Sequence, residues 1–235
     1  MATQVYRTLA KIVGAVLLVV GIAALFGGNF AHGFVREQLE AQNITMPTTE
    51  AIDAQVASGR ITEGNAVELR KYAADGPMST GPQARAFADE YILSHMRAGA
   101  KAAGVPEEQA TYSGIGEVVT AKTAQLRAEL KAVPEHAPKT DQEIPALAAQ
   151  EIATPATDFS LAKEIKSLQD LRTSTFLDGN TLRGMLLNAY GWWLVGTIAL
   201  VAGWTLIVVG VGLLALGLVL KPRASTGDGP VAARQ

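Results

Sequence analysis

The stretch from Met185 to Leu220 reads MLLNAYGWWLVGTIALVAGWTLIVVGVGLLALGLVL, and none of its 36 residues is charged. A second uncharged run, IVGAVLLVVGIAALFGGNFAHGFV, extends from Ile12 to Val35. A membrane hydrocarbon core about 30 Å thick requires roughly 20 helical residues, and both runs are longer than that. The sequence therefore predicts a mainly α protein with two transmembrane helices.

The two apolar runs divide the chain of 235 residues into five parts. We predict a cytoplasmic N-terminus at 1–11, a first transmembrane helix at 12–35, a mostly helical extracytoplasmic domain at 36–183, a second transmembrane helix at 184–220 and a cytoplasmic tail at 221–235. The two spans would then run in opposite directions, as an antiparallel hairpin that flanks the domain.

Charge distribution indicates the orientation in the membrane. The segments outside the two spans at either terminus hold five basic residues and one acidic residue, whereas 36–183 holds 15 basic and 21 acidic residues. Lys and Arg close to the ends of spans are retained on the cytoplasmic side. We therefore expect a plasma (inner) membrane protein with both termini in the cytoplasm and the central domain outside.

The first apolar run also has the basic start and apolar core of a secretory signal peptide. Its best small-residue cleavage site ends at Ala31, which would put the polar Asn29 at the third position before the cut. The uncharged run continues to Val35 and is longer than a typical signal core. These features favour a retained signal anchor over a cleaved peptide.

Helical periodicity is the main pattern in the central domain. Helices are predicted at 63–74, 83–103 and 114–134, and the second of them is expected to bury the face formed by Phe87, Tyr91, His95 and Ala98. Strand-like alternation is nearly absent from the domain.

Three further features of the domain are predicted from turn and cap residues. Four prolines between 134 and 155 predict an extended or pliable linker. Ser160 is the expected cap of a following helix. A turn is predicted from Asp178 to Thr181, just before the second span.

Glycine recurs every seven residues in both spans: Gly14, Gly21 and Gly28 in the first, and Gly196, Gly203, Gly210 and Gly217 in the second. Small residues let helices approach closely in lipid, and a spacing of seven keeps them on one seam of a left-handed helix pair. Two interpretations stay open. The glycines either join the two helices of this chain or form a docking face for another membrane protein, and the additional Gly184, Gly191 and Gly212 suggest that more than one face is in contact.

Tryptophan residues indicate depth in the membrane. Trp192 and Trp193 lie where the outer headgroup layer is expected, as in other aromatic belts at membrane interfaces. Trp204 falls near the middle of the span, where its indole N–H requires a hydrogen-bond partner. Trp204 is therefore interpreted either as a residue that faces a protein partner or as one half exposed to lipid.

No catalytic, metal-binding or cofactor-binding signature occurs in the sequence. The chain has no cysteine, and His32, His95 and His136 share no metal-ligand spacing. It also lacks a nucleophile elbow, a phosphate-binding loop and a dinucleotide fingerprint. A net charge of −2 argues against nucleic acid as a partner. We therefore predict a protein that is not an enzyme, with no cofactor, whose partners are the lipid bilayer and integral membrane proteins.

Three segments spread over most of the chain carry a resemblance: Asn43-Ile44-Thr45; Asp75-Gly76-Pro77 leading to Gln83-Ala84-Arg85-Ala86-Phe87-Ala88-Asp89 and Tyr91-Ile92; and Leu182-Arg183-Gly184-Met185-Leu186-Leu187. In these segments the chain resembles a family of actinobacterial two-span membrane proteins of unknown function. Relatives are sometimes labelled aromatic-ring-opening dioxygenases, but this sequence lacks a set of His and carboxylate residues suited to non-haem iron. The resemblance suggests an accessory subunit of the actinobacterial respiratory cytochrome bc and cytochrome oxidase supercomplex.

Three functional hypotheses follow from the sequence. The first is a non-catalytic accessory or scaffold subunit of an envelope membrane complex. The second is an extracytoplasmic sensor that binds a lipid or small molecule on the face of Phe87, Tyr91 and His95. The third is an enzyme with an unrecognised site that includes His95, Asp89 and Glu90.

Overall fold

The structure is a computed structural model that describes residues 2–73, 76–133 and 140–219. Helices form most of these residues, and no β-strand occurs among them. The prediction of a mainly α protein is confirmed. Pro134, His136, Pro138 and the predicted tail at 221–235 lie outside the described residues.

The α-helices of the described ranges are α1 (Ala2–Ala41), α2 (Thr49–Ala57), α3 (Glu63–Arg70), α4 (Gly81–Ala86), α5 (Leu93–Ala102), α6 (Tyr112–Ala132), α7 (Glu143–Ala153), α8 (Ser160–Asp170) and α9 (Asp178–Val219). A first π-helical segment, Phe87–Ile92, joins α4 to α5, and a second, Leu171–Leu177, joins α8 to α9. The chain divides into a unit of 1–35 and 192–235, here the helix-pair unit, and a unit of 36–191, here the central unit.

Within the described residues, two helical stretches are long and apolar enough to cross a membrane. They are Gln4–Ala41 and the continuous helix Ser160–Val219, which includes the second π-helical segment. Only 11% of the most apolar window of each is buried, whereas a core helix of a soluble protein would be mostly buried. The prediction of two apolar helices of membrane-spanning length is confirmed.

Four helices of the central unit begin at threonine caps. Thr48, Thr62, Thr80 and Thr111 each accept a backbone N–H of the first turn of α2, α3, α4 and α6. Such caps satisfy N–H groups that have no partner within the helix. Among the described residues, three clusters of buried side chains then hold the unit together, and they include Ile115, Leu126 and Ile52, respectively.

The predicted linker at 134–155 is wrong for its described second half. Residues 143–153 form α7, and Pro145 occupies its first turn, where the missing N–H breaks no helical hydrogen bond. Ile144 and Ala148 of α7 are buried in the cluster that includes Leu126 of α6 and Ile165 of α8. Tertiary packing of these apolar residues therefore outweighs the high proline content.

The predicted turn at Asp178–Thr181 is also wrong, since α9 begins at Asp178 and continues through this segment. Thr181 donates its hydroxyl to the Leu177 carbonyl oxygen at 2.8 Å, as an ordinary helical residue. A Cβ at Gly179 would lie 2.7 Å from Met96 Sδ. Gly179 therefore permits the close approach of α5 rather than a turn.

Ser160 does not cap α8. The cap position belongs to Phe159, which makes no side-chain cap hydrogen bond. The nearby hydroxyl of Thr157 instead accepts the backbone N–H of Phe159 at 3.2 Å. The N-cap of α8 is thus Phe159, one residue earlier than the sequence pattern predicted.

The predicted buried face of the helix at 83–103 is only partly correct. Phe87 is buried, but Tyr91, His95 and Ala98 are half-buried. The core residues of this segment are instead small or flexible: Ala84, Ala86, Ala88, Met96 and Ala100. The first π-helical segment inserts an extra residue into the turn, so the face that contacts the core shifts around the helix.

Candidate functional sites: the glycine seam and a cavity between π-helical segments

Three glycines of α1, Gly14, Gly21 and Gly28, meet glycines of α9 in the helix-pair unit, and this row of contacts is here called the seam. A Cβ added at Gly14 or Gly21 would lie 2.8 Å from the carbonyl oxygen of Gly210 or Gly203, respectively, and one at Gly28 would lie 2.7 Å from that of Gly196. Residue numbers rise along α1 while they fall along α9, so the two helices are antiparallel. At these three glycine pairs, the backbone of α1 contacts the backbone of α9, and no side chain fits between the two helices.

Gly217 extends the seam toward the ends of the chain. Arg7 Nε donates to the Gly217 carbonyl oxygen at 3.0 Å, and a Cβ at Gly217 would lie 2.8 Å from Lys11 Cγ. Arg7 therefore closes this end of the pair with a hydrogen bond.

His32 closes the other end of the seam, a role that the sequence analysis missed. Its ring stacks on the Trp193 indole, with centroids 4.0 Å apart and planes 8° apart. His32 Nε2 lies 3.0 Å from both the Trp193 carbonyl oxygen and Thr197 Oγ1. Because a carbonyl oxygen can only accept, Nε2 carries the proton that it donates to Trp193.

The position of His32 explains the glycine opposite it. A Cβ at Gly196 would lie 2.7 Å from His32 Cδ2, so any larger residue would displace the imidazole ring. His32 follows Gly28 by four residues and thus falls on the same helix face. That spacing is the sequence signal that could have placed His32 on the seam.

The other predicted tryptophan residues face away from the seam. Trp192 is 57% exposed and Trp204 is 61% exposed, and neither indole N–H has a hydrogen-bond partner in the part of the chain that the structure describes. Five glycines of the predicted spans lie outside the seam, and a Cβ added at any of them would meet nothing within 4 Å: Gly27, Gly33, Gly184, Gly191 and Gly212. These glycines are therefore not required for packing between α1 and α9.

The central unit contains a cavity of about 350 Å³ between the two π-helical segments. Phe87 and Tyr91 of the first segment and Ser174 and Thr175 of the second line it, together with His95 of α5. π-helical turns are rare and frequently occur at functional sites. The three residues of the predicted ligand-binding face thus share one cavity.

Hydrogen bonds fix the polar groups of this cavity. His95 Nδ1 donates to the Tyr91 carbonyl oxygen at 2.7 Å, and the Tyr91 hydroxyl accepts from Gln55 Nε2 at 3.0 Å. The Phe87 and Tyr91 rings stack with centroids 4.8 Å apart. The aromatic wall is therefore held in place before any ligand binds.

Asp89 and Glu90, the acidic residues of the enzymatic hypothesis, have structural partners. Arg183 Nη2 donates to Asp89 Oδ1 at 2.9 Å, and Arg183 Nε donates to the Ala88 carbonyl oxygen at 2.9 Å. Glu90 accepts from Asn65 Nδ2 at 2.5 Å. Both carboxylates thus bind other elements of the central unit.

Comparison of the chain with protein-family models, with curated proteins and with solved structures gives no match. The likeness to actinobacterial two-span proteins therefore stays a prediction. A functional proposal depends on the geometry described above.

Ion pairs at the surface of the central unit shift the pKa values of Arg70 and Asp141. Hydrogen bonds to Glu63, the larger cause, and to Asp53 raise the pKa of Arg70 above its ordinary value. A hydrogen bond from Lys131 lowers the pKa of Asp141. All these groups are at least partly exposed, so the shifts mark solvated ion pairs that connect elements rather than reactive groups.

Proposed function

We propose that the chain is a non-catalytic accessory or scaffold subunit of a plasma membrane protein complex, with both termini in the cytoplasm and the central domain outside. The excess of basic residues in the two terminal segments, 1–11 and 221–235, supports this orientation. The resemblance to actinobacterial proteins makes the respiratory cytochrome bc and cytochrome oxidase supercomplex the concrete candidate.

The unpartnered indole of Trp204 carries this proposal. Trp204 follows Trp192 by 12 residues, or about 18 Å along a helix, which would place it in the hydrocarbon core. A polar N–H without a hydrogen bond in such surroundings costs free energy. A helix of another protein that offers an oxygen acceptor at this depth would remove the cost.

A second surface of α1 supports docking outside the seam. Phe26 and Phe30 are each 75% exposed and Phe34 is 50% exposed, which gives a ridge of large rings at four-residue spacing. Gly27 and Gly33 lie in the same stretch of α1 and meet nothing across from them. Large and small residues that alternate on one helix suit close packing with another membrane helix.

The test is co-purification of the tagged full chain in mild detergent, followed by mass spectrometry of the proteins that co-elute. We expect a reproducible set of membrane proteins. Trp204→Phe keeps the ring but removes the N–H, and it should lower partner recovery by about three- to thirtyfold, the range for one hydrogen bond between membrane helices.

Trp192→Phe is the matched control, because it makes the same chemical change at the predicted membrane interface, where water can replace the lost partner. It should leave recovery unchanged. A wild-type chain that elutes alone would contradict the accessory-subunit function. Equal recovery with both variants would contradict the assignment of Trp204 as a docking residue.

The cavity between the π-helical segments favours a second candidate function, binding of a lipid or small molecule by the central unit. Its aromatic wall is preorganised, and its volume of about 350 Å³ falls within the range of small-molecule sites. Ser174 is an exposed residue of its lining, so a larger side chain there would fill the cavity without disturbing the core.

This second function is tested by thermal unfolding of the full chain with and without an extract of envelope lipids. A ligand at 100 times its Kd would stabilise the fold by about 2.7 kcal/mol. Ser174→Phe should abolish the rise in the unfolding midpoint, whereas Ser167→Phe, at an exposed position of α8 outside the cavity, should keep it. An unchanged wild-type midpoint would contradict this candidate.

A further inference from the structure

A cleft in the central unit brings three basic side chains together. Its volume is about 470 Å³, and Arg60, Arg97 and Lys101 contribute to its lining. Arg60 follows Gly59, whose positive φ of 71° turns the chain between α2 and α3. Arg97 and Lys101 are four residues apart on α5, and this spacing places them on one face of the helix.

These three cations differ from the paired basic residues of the same unit. Arg70, Lys122 and Arg183 each bind a carboxylate, whereas the side chains of Arg60, Arg97 and Lys101 have no ion pair or hydrogen bond within the described residues. The segment that holds them, 36–183, has more acidic than basic residues. Unpaired cations in such surroundings leave a local positive charge that an anion could neutralise.

The rest of the lining decides what kind of anion fits. Ile61 and Val105 are 4% and 5% exposed and give the cleft an apolar part. Ser94 adds a hydroxyl without a hydrogen-bond partner among the described residues. Glu107 is the acidic member of the lining, so three positive charges face one negative charge.

Two other polar lining residues are already engaged in structure. The Thr62 hydroxyl donates to Asn65 Oδ1 at 2.5 Å, and Asn65 Nδ2 donates to Glu90. The basic groups and Ser94 are therefore the polar side chains of the cleft that remain available to bind a ligand. Arg and Lys are the side chains that most often bind phosphate oxygens in proteins.

We propose that this cleft binds a phosphate ester, with the phosphate held by Arg60, Arg97 and Lys101 and the apolar part of the ligand on Ile61 and Val105. The site goes beyond the accessory-subunit function and does not depend on it. A soluble phosphate ester and the headgroup of an anionic lipid share this chemistry.

The experiment is isothermal titration of the full chain in non-ionic detergent. The probes are phenyl phosphate, for a soluble ester, and dihexanoylphosphatidylglycerol below its micellar concentration, for a lipid headgroup. We expect saturable binding of at least one probe, and the tighter of the two identifies the source. Phenol, which lacks the charge, should not bind, and added salt should weaken the interaction.

The decisive variant is Arg97→Gln with Lys101→Gln. Both residues are exposed, so the fold should persist, while loss of two charge-assisted hydrogen bonds should weaken binding at least about tenfold. The matched control is Arg127→Gln with Lys163→Gln, which removes the same charge from exposed positions and should change affinity less than about twofold.

Three results would overturn the proposal. They are no saturable binding of either probe, equal weakening by the two double variants, and binding of phenol as tight as that of phenyl phosphate. A circular dichroism spectrum of each double variant that matches the wild type would exclude unfolding as the reason for weaker binding.

Discussion

Glycines in the two apolar helices differ in what an added methyl group would meet. At Gly21 a Cβ would lie 2.8 Å from the Gly203 carbonyl oxygen and 3.0 Å from the Ile207 backbone nitrogen. Neither backbone atom can move without shifting the whole helix. At Gly27 the same atom would meet nothing within 4 Å.

Gly21→Ala should therefore destabilise the protein by about 1–3 kcal/mol, the usual cost of overpacking. Gly27→Ala should be neutral or slightly stabilising, because alanine is the better helix former. The midpoints of thermal unfolding in mild detergent would compare the two variants. Equal midpoints would contradict a tightly packed seam at Gly21.

His32 shows what a pattern of residue types leaves out. Its i+4 relation to Gly28 was present in the sequence, but only the structure supplies the Trp193 ring on which it stacks. A search for metal ligands tests histidines against one another. It cannot detect a histidine whose partners are an indole ring and a backbone carbonyl 161 residues away.

Among α6, α7 and α8 of the central unit, the most extensive packing is between α6 and α8. Leu126 of α6 is 0% exposed and lies in a cluster with Ile144 of α7 and Ile165 of α8. Lys122 and Glu164 add an ion pair of 2.7 Å between α6 and α8, but exposed pairs contribute little. The buried leucine should matter more.

Leu126→Ala should lower the free energy of unfolding by about 2–5 kcal/mol, through lost burial and the cavity left behind. Val67→Ala is the control, since Val67 is 51% exposed and its truncation should change stability by less than about 0.5 kcal/mol. Chemical denaturation followed by circular dichroism would measure both. Similar effects for the two would contradict the assigned core.

The errors in the predicted elements share one physical cause. Pro145 in the first turn of α7 and Asp-Gly-Asn at the start of α9 are local signals for loops, yet both segments are helical. Burial of Ile144 and the approach of Met96 to Gly179 decide these conformations. Such contacts come from residues distant in sequence, so no local pattern could reveal them.

The number of apolar helices and the mainly α class were predictable, because length and an absence of charge suffice to identify them. Only the structure identifies which glycines pair, since the seven-residue spacing fits packing within the chain as well as docking to another protein. The cleft of Arg60, Arg97 and Lys101 could not be found from the sequence at all, because Arg60 precedes the other two by 37 and 41 residues.

Orientation in the membrane is directly testable, since the chain contains no cysteine and single cysteines can be introduced on an empty background. Ser167→Cys, at an exposed position of the central unit, should react with a membrane-impermeant maleimide in intact cells. Gln4→Cys, exposed near the N-terminus, should react only after permeabilisation. The reverse pattern would contradict a cytoplasmic N-terminus.

The glycine seam also has a consequence for biosynthesis. Gly28 and Gly196 face each other but are separated by 168 residues, so at about 5–20 residues per second the ribosome needs roughly 10 to 30 s to make the second partner after the first. In the membrane arrangement proposed above, α1 would lie in the bilayer during that time with its small-residue face uncovered. The rate of translation through the central unit therefore sets how long this face is open to unintended helices of other nascent proteins.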